Sequence, residues 1–191
     1  MSGVEPGPDG KPRCSWGLSA PEYVDYHDNE WGRPVHGENE LFERLTLEAF
    51  QSGLSWLTIL RKRENFRKAF DGFEIEKVAA YKQKDFKRLM GDAGIVRNRK
   101  KIEAAIANAR SARELHAAGE TLDEVIWSFA PEEERPAPRT LSDLEPTTAE
   151  SKALATELKR RGFVFVGPTT AYATMEAIGV VNDHLAGCAF R

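Results

Sequence analysis

Helical sequence patterns limit the fold of this chain more than any other feature. Apolar residues recur at helical spacing over most of the sequence, Pro21 is placed to open the first helix, and Gly119 is placed to end the longest one. Only residues 163–166 resemble a strand, and so short a run cannot be told from a buried connector. We therefore predict an all-α fold of eight or so short helices. The predicted helices cover about residues 21–31, 39–53, 55–70, 74–81, 84–92, 99–118, 121–129, 148–161 and 168–179.

The first residues differ in composition from this helical body. Residues 1–12 contain three prolines and three glycines without an apolar period, which predicts a flexible tail. Residues 13–191 are enough for a single domain, which we expect to form two lobes that share one core. No apolar run approaches the roughly 20 residues that span a membrane, and no signal segment opens the sequence. We therefore expect a cytoplasmic protein without a membrane partner.

The charges are unevenly distributed along the chain. Lys and Arg number 27 against 30 Asp and Glu, and a net charge of −3 by itself disfavours a nucleic-acid partner. Basic residues nevertheless concentrate at 61–68, 97–101 and 159–161, whereas acidic ones gather at 132–134. Most such runs are solvated helix faces, but a local basic face can also bind phosphates with an affinity that falls as salt rises.

The second basic run follows a short glycine-containing turn between two predicted helices. Gly94 lies in this turn, and Arg97, Arg99 and Lys100 lie at the start of the next helix. Backbone amides at such a turn and at a helix N-terminus can bind a phosphate, and nearby basic side chains add charge. Any helical hairpin can use a glycine turn, so the turn alone is weak evidence for a DNA contact.

Two cysteines and two histidines form a possible metal set at opposite ends of the chain. Cys14 is followed by His27, and His184 is separated from Cys188 by helical i, i+4 spacing. Two thiolates and two imidazoles are a usual donor set for a closed tetrahedral zinc site. The residue pattern alone is compatible with this zinc site and also with two buried, unreactive cysteines. A catalytic zinc is disfavoured because four protein ligands leave no position for water.

A carboxylate lies on the apolar face of the predicted 39–53 helix. Leu41, Leu45 and Glu48 share one helical face, so Glu48 should point inward. A buried glutamate is ordinarily paired with a basic group, and the alternative is a carboxylate that lines a pocket. Aromatic clusters are ordinarily core, but with an inward carboxylate they can also hold a flat cationic group such as a flipped base. The aromatic residues near Glu48 in the sequence are Trp16, Tyr23, Tyr26, Trp31 and Trp56.

Several longer motifs resemble the bacterial 3-methyladenine DNA glycosylase I family. They keep the family's order and cover about residues 13–188, and YHDNEWG and SGLSW are specific enough to outweigh any single short pattern. The matching stretches are RCSW at 13–16, YHDNEWG at 26–32, Glu48, SGLSWLTIL at 52–60, KREN at 62–65, DAGI at 92–95 with Arg97, RGFVFVG at 161–167, VNDH at 181–184 and GC at 187–188.

The resemblance implies a helix–hairpin–helix DNA glycosylase that acts in base-excision DNA repair in the bacterial cytosol. It implies a monofunctional hydrolase that removes 3-methyladenine from double-stranded alkylated DNA, releases the free base and leaves the strand uncut. It also implies one structural Zn²⁺ per chain, which joins the N- and C-terminal segments through Cys14, His27, His184 and Cys188. A monomer is the usual arrangement for such an enzyme.

The resemblance also assigns roles to the pocket and DNA-facing residues. Glu48, as the catalytic residue, and Tyr26 are the expected hydrogen-bond partners of the base. Gly53 and Leu54 correspond to the loop that fills the gap left in the DNA stack, and the segment about 84–103 corresponds to the phosphate-gripping hairpin. Trp56 is the expected stacking partner, and Trp16 and Trp31 the expected walls.

Two other classes of protein compete with this reading. A zinc-stapled DNA-binding module without catalysis would explain the metal set and the basic hairpin, but not the inward Glu48 and its aromatic neighbours. A zinc hydrolase would need an open coordination position, which four protein ligands do not leave.

Overall fold

The structure, a computed structural model, describes residues 3–191, and nine α-helices and one two-stranded sheet form this part of the chain. The prediction of a mostly helical fold is confirmed, and each predicted helix is found within about two residues of its predicted ends. Three short 3₁₀ turns lie at Ser15–Leu18, Asp71–Phe73 and Leu141–Asp143. The helices are α1 (Pro21–Asn29), α2 (Glu38–Gln51), α3 (Trp56–Ala69), α4 (Ile75–Ala79), α5 (Gln83–Gly91), α6 (Arg99–Ala117), α7 (Leu122–Trp127), α8 (Ala149–Arg160) and α9 (Pro168–Ala177), and the strands are β1 (Val4–Pro6) and β2 (Pro12–Cys14).

Local sequence signals set the starts of the helices that position the site. Ser55 caps α3 by accepting a hydrogen bond from the Thr58 amide, and Asn98 caps α6 by accepting one from the Lys101 amide. Pro168 is at the first position of α9, where its missing N–H costs nothing. These caps fix the turn between α2 and α3 and the hairpin that joins α5 to α6.

The core is built around α2, which packs against α3, α6, α7 and α9. Fully buried phenylalanines fill the space between α2 and α3, with Phe50 and Phe66 in edge-to-face contact at 4.8 Å between ring centroids. Because α2 is surrounded on several sides, its inward face is fixed, and with it the direction of Glu48.

The N-terminal segment differs from the prediction of a flexible tail. β1 pairs antiparallel with β2, with Val4 opposite Cys14 and Pro6 opposite Pro12. The turn between them closes through a hydrogen bond from the Gly7 amide to the Lys11 carbonyl at 2.9 Å, and Gly10 adopts the positive φ of 78° that the turn needs. The tail prediction is therefore wrong for residues 4–12, while residues 1 and 2 lie outside the described part of the chain.

The segment 163–166 is a connector between α8 and α9. Asn108 of α6 holds it from both sides, because its side chain accepts from the Val164 amide at 2.8 Å and donates to the Val164 carbonyl at 3.0 Å. Phe163 and Val166 are buried in this connector, whereas Val164 and Phe165 are exposed, so the short apolar run is neither a strand nor a fully buried segment.

Within residues 3–191, none of the helices combines the length and the apolar character that crossing a bilayer requires.

Candidate active site and metal centre

Helices α1, α2 and α9 meet the turn after β2 around a cavity of about 270 Å³. The structure brings the five predicted pocket residues together in its wall. Glu48 comes from α2, Tyr26 from α1, and Trp56 from the first turn of α3. The full lining is Trp16, Tyr23, Tyr26, Trp31, Glu48, Gln51, Trp56, Leu144, Ala173 and Glu176.

The aromatic rings of the cavity hold one another in place. Trp16 makes edge-to-face contacts with Trp31 and Tyr23, with ring centroids 4.8 and 5.7 Å apart. Tyr26 lies beside Trp56 at 5.4 Å with a tilted ring. Because these large side chains have few rotatable bonds and interlock, the cavity is shaped before any ligand enters.

Glu48 is the predicted acidic group of this aromatic wall. Its side chain follows Leu41 and Leu45 on the inward face of α2 and is only 7 % exposed. It makes no hydrogen bond to any residue in the described part of the chain, and Arg44, the basic group acting on it, instead binds Glu30 at 2.8 Å. Burial raises the pKa of Glu48 to about 8, and the opposing effect of Arg44 offsets only part of that rise. The carboxyl therefore lacks a partner that a ligand could supply.

Glu176 is a second carboxyl of the cavity that the sequence prediction missed. It lies on α9, and burial together with the negative charges of Asp183 and Glu48 raises its pKa well above the ordinary range. A signal for it was present in the sequence. Glu176 is the single charged residue of the helix PTTAYATMEA, and the argument that placed Glu48 inward applies equally to it.

A buried donor without a partner lies beside these acids. The indole Nε1 of Trp56 is inaccessible to solvent and finds no acceptor among residues 3–191. Buried polar groups are ordinarily hydrogen-bonded, so each exception calls for an explanation. In this wall the exception is the indole N–H of Trp56.

Both ends of the chain contribute donor atoms to the candidate metal centre. One donor atom each from Cys14, His27 and Cys188 falls within a single 4.8 Å group, and all three residues are buried. Cys188 Sγ lies 3.6 Å from His27 Nε2. Typical Zn–S and Zn–N bonds at a tetrahedral angle place the two donors about 3.6 Å apart, so this pair matches the edge of a zinc tetrahedron.

Neighbouring groups orient the donors toward a shared point. His27 Nδ1 lies 2.7 Å from Asp28 Oδ1, so Nδ1 carries the proton and Nε2 keeps its lone pair for a metal. Asp28 is itself held by Arg13, whose Nη2 donates to Oδ2 at 2.7 Å. The Leu185 amide donates to Cys14 Sγ at 3.3 Å, as an amide beside a metal thiolate does. These contacts fit a bound cation.

The predicted helical spacing of His184 and Cys188 is wrong. α9 ends at Ala177, and residues 182–191 form turns and irregular chain. His184 is fully buried beside His27, with ring centroids 4.7 Å apart. Its Nδ1 lies 3.0 Å from Asn182 Oδ1 and its Nε2 lies 3.2 Å from the His27 carbonyl oxygen. His184 therefore lies next to Cys14, His27 and Cys188. It is not part of the group whose donor atoms all lie within 4.8 Å of one another.

The turn between α2 and α3 presents Gly53 and Leu54 at the surface. Gly53 has a φ of 78°, which favours glycine, and Leu54 is one of the few large apolar side chains that are exposed, at 38 %. The Gln51 side chain donates to the Leu54 carbonyl at 2.8 Å and so braces the turn. An exposed leucine on a braced turn therefore directly follows the cavity helix.

The α5–α6 hairpin is built as the sequence predicts. Asp92 Oδ1 accepts from the Gly94 amide at 2.7 Å, and Lys62 of α3 donates to the Ala93 and Gly94 carbonyls at 3.2 and 3.3 Å. Arg97 and Lys100 are exposed and make no ion pair with residues 3–191, whereas Arg99 pairs with Glu103 at 3.2 Å.

The basic runs carry fewer free charges than the sequence suggests. Lys101 points inward, where its Nζ donates to the carbonyls of Phe50 and Ser52 at the end of α2. All five arginines of the first and third runs form ion pairs with glutamates. These pairs are Arg61 with Glu22, Arg63 with Glu30, Arg67 with Glu43, Arg160 with Glu157 and Arg161 with Glu120.

Comparison with solved structures shows which known proteins share this fold. The chain matches a crystal structure of 3-methyladenine DNA glycosylase I with a TM-score of 0.89 and 44% identity, covering 93% of this chain and 98% of that one. It also matches the Staphylococcus aureus 3-methyladenine DNA glycosylase I, described for its recognition of 3-methyladenine, with a TM-score of 0.87 and 36% identity over 93% and 95% of the two chains. The fold is thus that of a DNA glycosylase.

Sequence comparison gives the family. The profile of the methyladenine glycosylase family matches residues 16–191. The DNA-3-methyladenine glycosylase 1 of Escherichia coli K12 is 47% identical over 177 residues, which cover 92% of this chain and 95% of the relative. The chain belongs to the methyladenine glycosylase family.

Proposed function

We propose that the protein hydrolyses the N-glycosidic bond of 3-methyladenine in alkylated DNA and so begins base-excision repair. The observation that carries this proposal is a buried, unpartnered carboxyl in a preshaped aromatic cavity. The relatives are named for the same activity, which supports it and disfavours a DNA-binding module without catalysis.

The chemistry of the damaged base explains why such a pocket suffices. Methylation at N3 gives adenine a positive charge, so the base is already a good leaving group and needs no protonation. A cation beside Glu48 lowers the pKa that burial has raised to about 8, and Glu48 ionises as the base enters. Neutral adenine offers no such compensation. Charge attraction in a dry site is stronger than in water, so the pocket selects the methylated base.

The remaining residues of the wall hold the flipped base. Tyr26, which is 3 % exposed, supplies a hydroxyl beside Glu48, and Trp56 supplies a ring for stacking. Trp16 and Trp31 close the wall and exclude water. No lysine lines the cavity in the described part of the chain. An amine nucleophile is therefore lacking there, which supports base removal without strand cleavage.

The DNA duplex is held by a small set of contacts. We assign Gly53 and Leu54 to filling the gap that the flipped base leaves. The hairpin amide of Gly94 and the side chains of Arg97, Arg99 and Lys100 are assigned to phosphates, with Arg99 the weaker because Glu103 already pairs with it. So few free charges predict weak, salt-sensitive binding to undamaged DNA and leave discrimination to the pocket.

A structural zinc completes the proposal. Cys14, His27, His184 and Cys188 would hold it, with His184 as the fourth ligand next to the three-donor group. Four protein ligands leave no open position, so the ion would contribute stability by joining the two ends of the chain. The enzyme would act as a monomer in the bacterial cytosol, where its DNA substrate lies.

The test is release of the base from a defined substrate. A duplex oligonucleotide with one 3-methyladenine is incubated with the purified protein, and free 3-methyladenine and abasic sites are measured. The proposal predicts free base and intact strands until alkali cleaves the abasic site. Binding of the duplex without base release would instead establish the DNA-binding module.

A further inference from the structure

The cavity contains two carboxyl groups and no basic side chain in its described wall. Glu48 comes from α2 and Glu176 from α9, and these two helices pack directly against each other. The negative charges of Glu48 and Asp183 both act on Glu176. The wall is thus more acidic than one base-binding carboxylate requires.

The groups around Glu176 give it little positive compensation. Asp183 is 7 % exposed and accepts a hydrogen bond from the Tyr172 hydroxyl. Arg44, the cation that acts on Glu48, is engaged by Glu30, and Tyr26 adds a neutral phenol to the wall. Two acidic groups that line one low-dielectric cavity disfavour each other's ionised form unless a cation is present.

We propose that Glu176 is a specificity-determining residue of the base pocket, which strengthens the preference for a positively charged purine over a neutral one. The inference rests on the proposed function and adds a second residue to its charge selection. A cationic base stabilises the ionised forms of Glu48 and Glu176, whereas a neutral base of equal shape offers no such stabilisation. Discrimination therefore depends on both carboxyls.

The backbone structure does not depend on the charge of the Glu176 side chain. The main-chain carbonyl of Glu176 accepts a hydrogen bond from the Gly32 amide at 3.0 Å, and its side chain shares a hydrogen bond with Asp183. Glu176→Gln keeps the main-chain bond, the shape of the side chain and an N–H that can donate to Asp183, and it removes the ionisable group. A purely structural role would then appear as lost stability with equal effects on every base.

The experiment compares a cationic and a neutral base in the same duplex. Single-turnover excision reports the cationic 3-methyladenine, and fluorescence anisotropy reports binding of a duplex that carries the neutral, isosteric 3-methyl-3-deazaadenine. We expect Glu176→Gln to slow excision about tenfold and to leave binding of the neutral analogue unchanged or tighter. Glu176→Asp, which restores the charge, should recover part of the rate. Glu114→Gln, at an exposed position on α6, is the matched control and should change neither quantity.

Each outcome decides the inference. An active wild type with unchanged discrimination in Glu176→Gln overturns it, as does an equal loss in both readouts together with a lower melting temperature. A wild type that releases no base overturns the proposed function itself, and the two failures are therefore distinguishable.

Discussion

The metal corner and the base cavity both bury polar groups, but they satisfy them differently. In the metal corner, defined here as Arg13, Cys14, His27, Asp28 and Cys188, each side chain is hydrogen-bonded or aimed at another donor. In the cavity, Glu48 makes no hydrogen bond to the described residues and the Trp56 N–H has no acceptor there.

The contrast separates stabilising groups from groups that bind a ligand. A buried polar network with all partners present holds segments together, and here it fastens both ends of the chain. A buried group without a partner costs stability, and a fold keeps it only where a ligand later supplies the partner. The two regions should therefore respond in opposite ways to substitution.

The largest expected effect is on the metal corner. Cys188→Ala removes one donor and should abolish most zinc binding, because a closed site needs all its ligands. Structural zinc contributes many kcal/mol, so we expect the melting temperature to fall by about 10 °C or more in a chain of this size. Metal analysis by mass spectrometry and calorimetry measure both. The exposed neighbour variant Ala189→Ser serves as control, and a Cys188→Ala protein with full zinc occupancy and native stability would contradict the assignment.

The second prediction concerns the cavity, where a substitution should raise the stability of the fold and not lower it. The pKa of Glu48 is higher in the folded protein than in the unfolded chain, so stability is complete below about 4.5 and falls as the pH rises toward 8. Glu48→Gln removes this loss and should raise the unfolding free energy at pH 8 by roughly 2–4 kcal/mol, with little effect at pH 4. Urea unfolding at both pH values checks it, and a destabilised variant at pH 8 would oppose the account.

A third prediction distinguishes the contribution of the Trp56 ring from that of its indole N–H. Trp56→Ala should weaken single-turnover excision by about 10- to 100-fold, because stacking on an aromatic ring contributes about 1–3 kcal/mol per base. Trp56→Phe keeps a ring and removes the unpartnered donor, so stability should hold and most activity remain. If the phenylalanine variant is as inactive as the alanine variant, the N–H itself binds the base.

The smallest expected effect is on the hairpin. The double variant Arg97→Ala/Lys100→Ala should weaken duplex binding several-fold at low salt and reduce the slope of log affinity against log salt by about 2. Arg160→Ala, which removes an arginine already paired with Glu157, is the matched control. An unchanged salt slope in the double variant would show that phosphates bind elsewhere.

The sequence predicted those parts of the molecule whose signals are local or periodic. Helical spacing located the helices and turned Glu48 inward, because one face of α2 must meet the core. The same reasoning applies to Glu176, because its helix carries no other charge. A sequence signal for the second carboxyl is therefore present.

Other features depend on contacts between distant segments and carry no local signal. The pairing of β1 with β2 was hidden by prolines and glycines that look like a tail, although two glycines form the turn. Lys101 looks like one more charge of a basic run, yet it hydrogen-bonds carbonyls at the end of α2. The number of unpaired basic side chains depends on which glutamates reach each arginine, and only the packed structure decides this.

The most direct test of the account is the single-turnover rate at which Glu48→Gln excises 3-methyladenine from duplex DNA. The variant keeps the shape of the side chain and loses the charge that is proposed to select the cationic base. We predict a rate at least about 100-fold below that of the wild type, or about 2.7 kcal/mol in activation free energy, in a protein that is no less stable. Excision at the native rate would contradict the central claim that an unpartnered carboxyl in the aromatic cavity recognises the base by its charge.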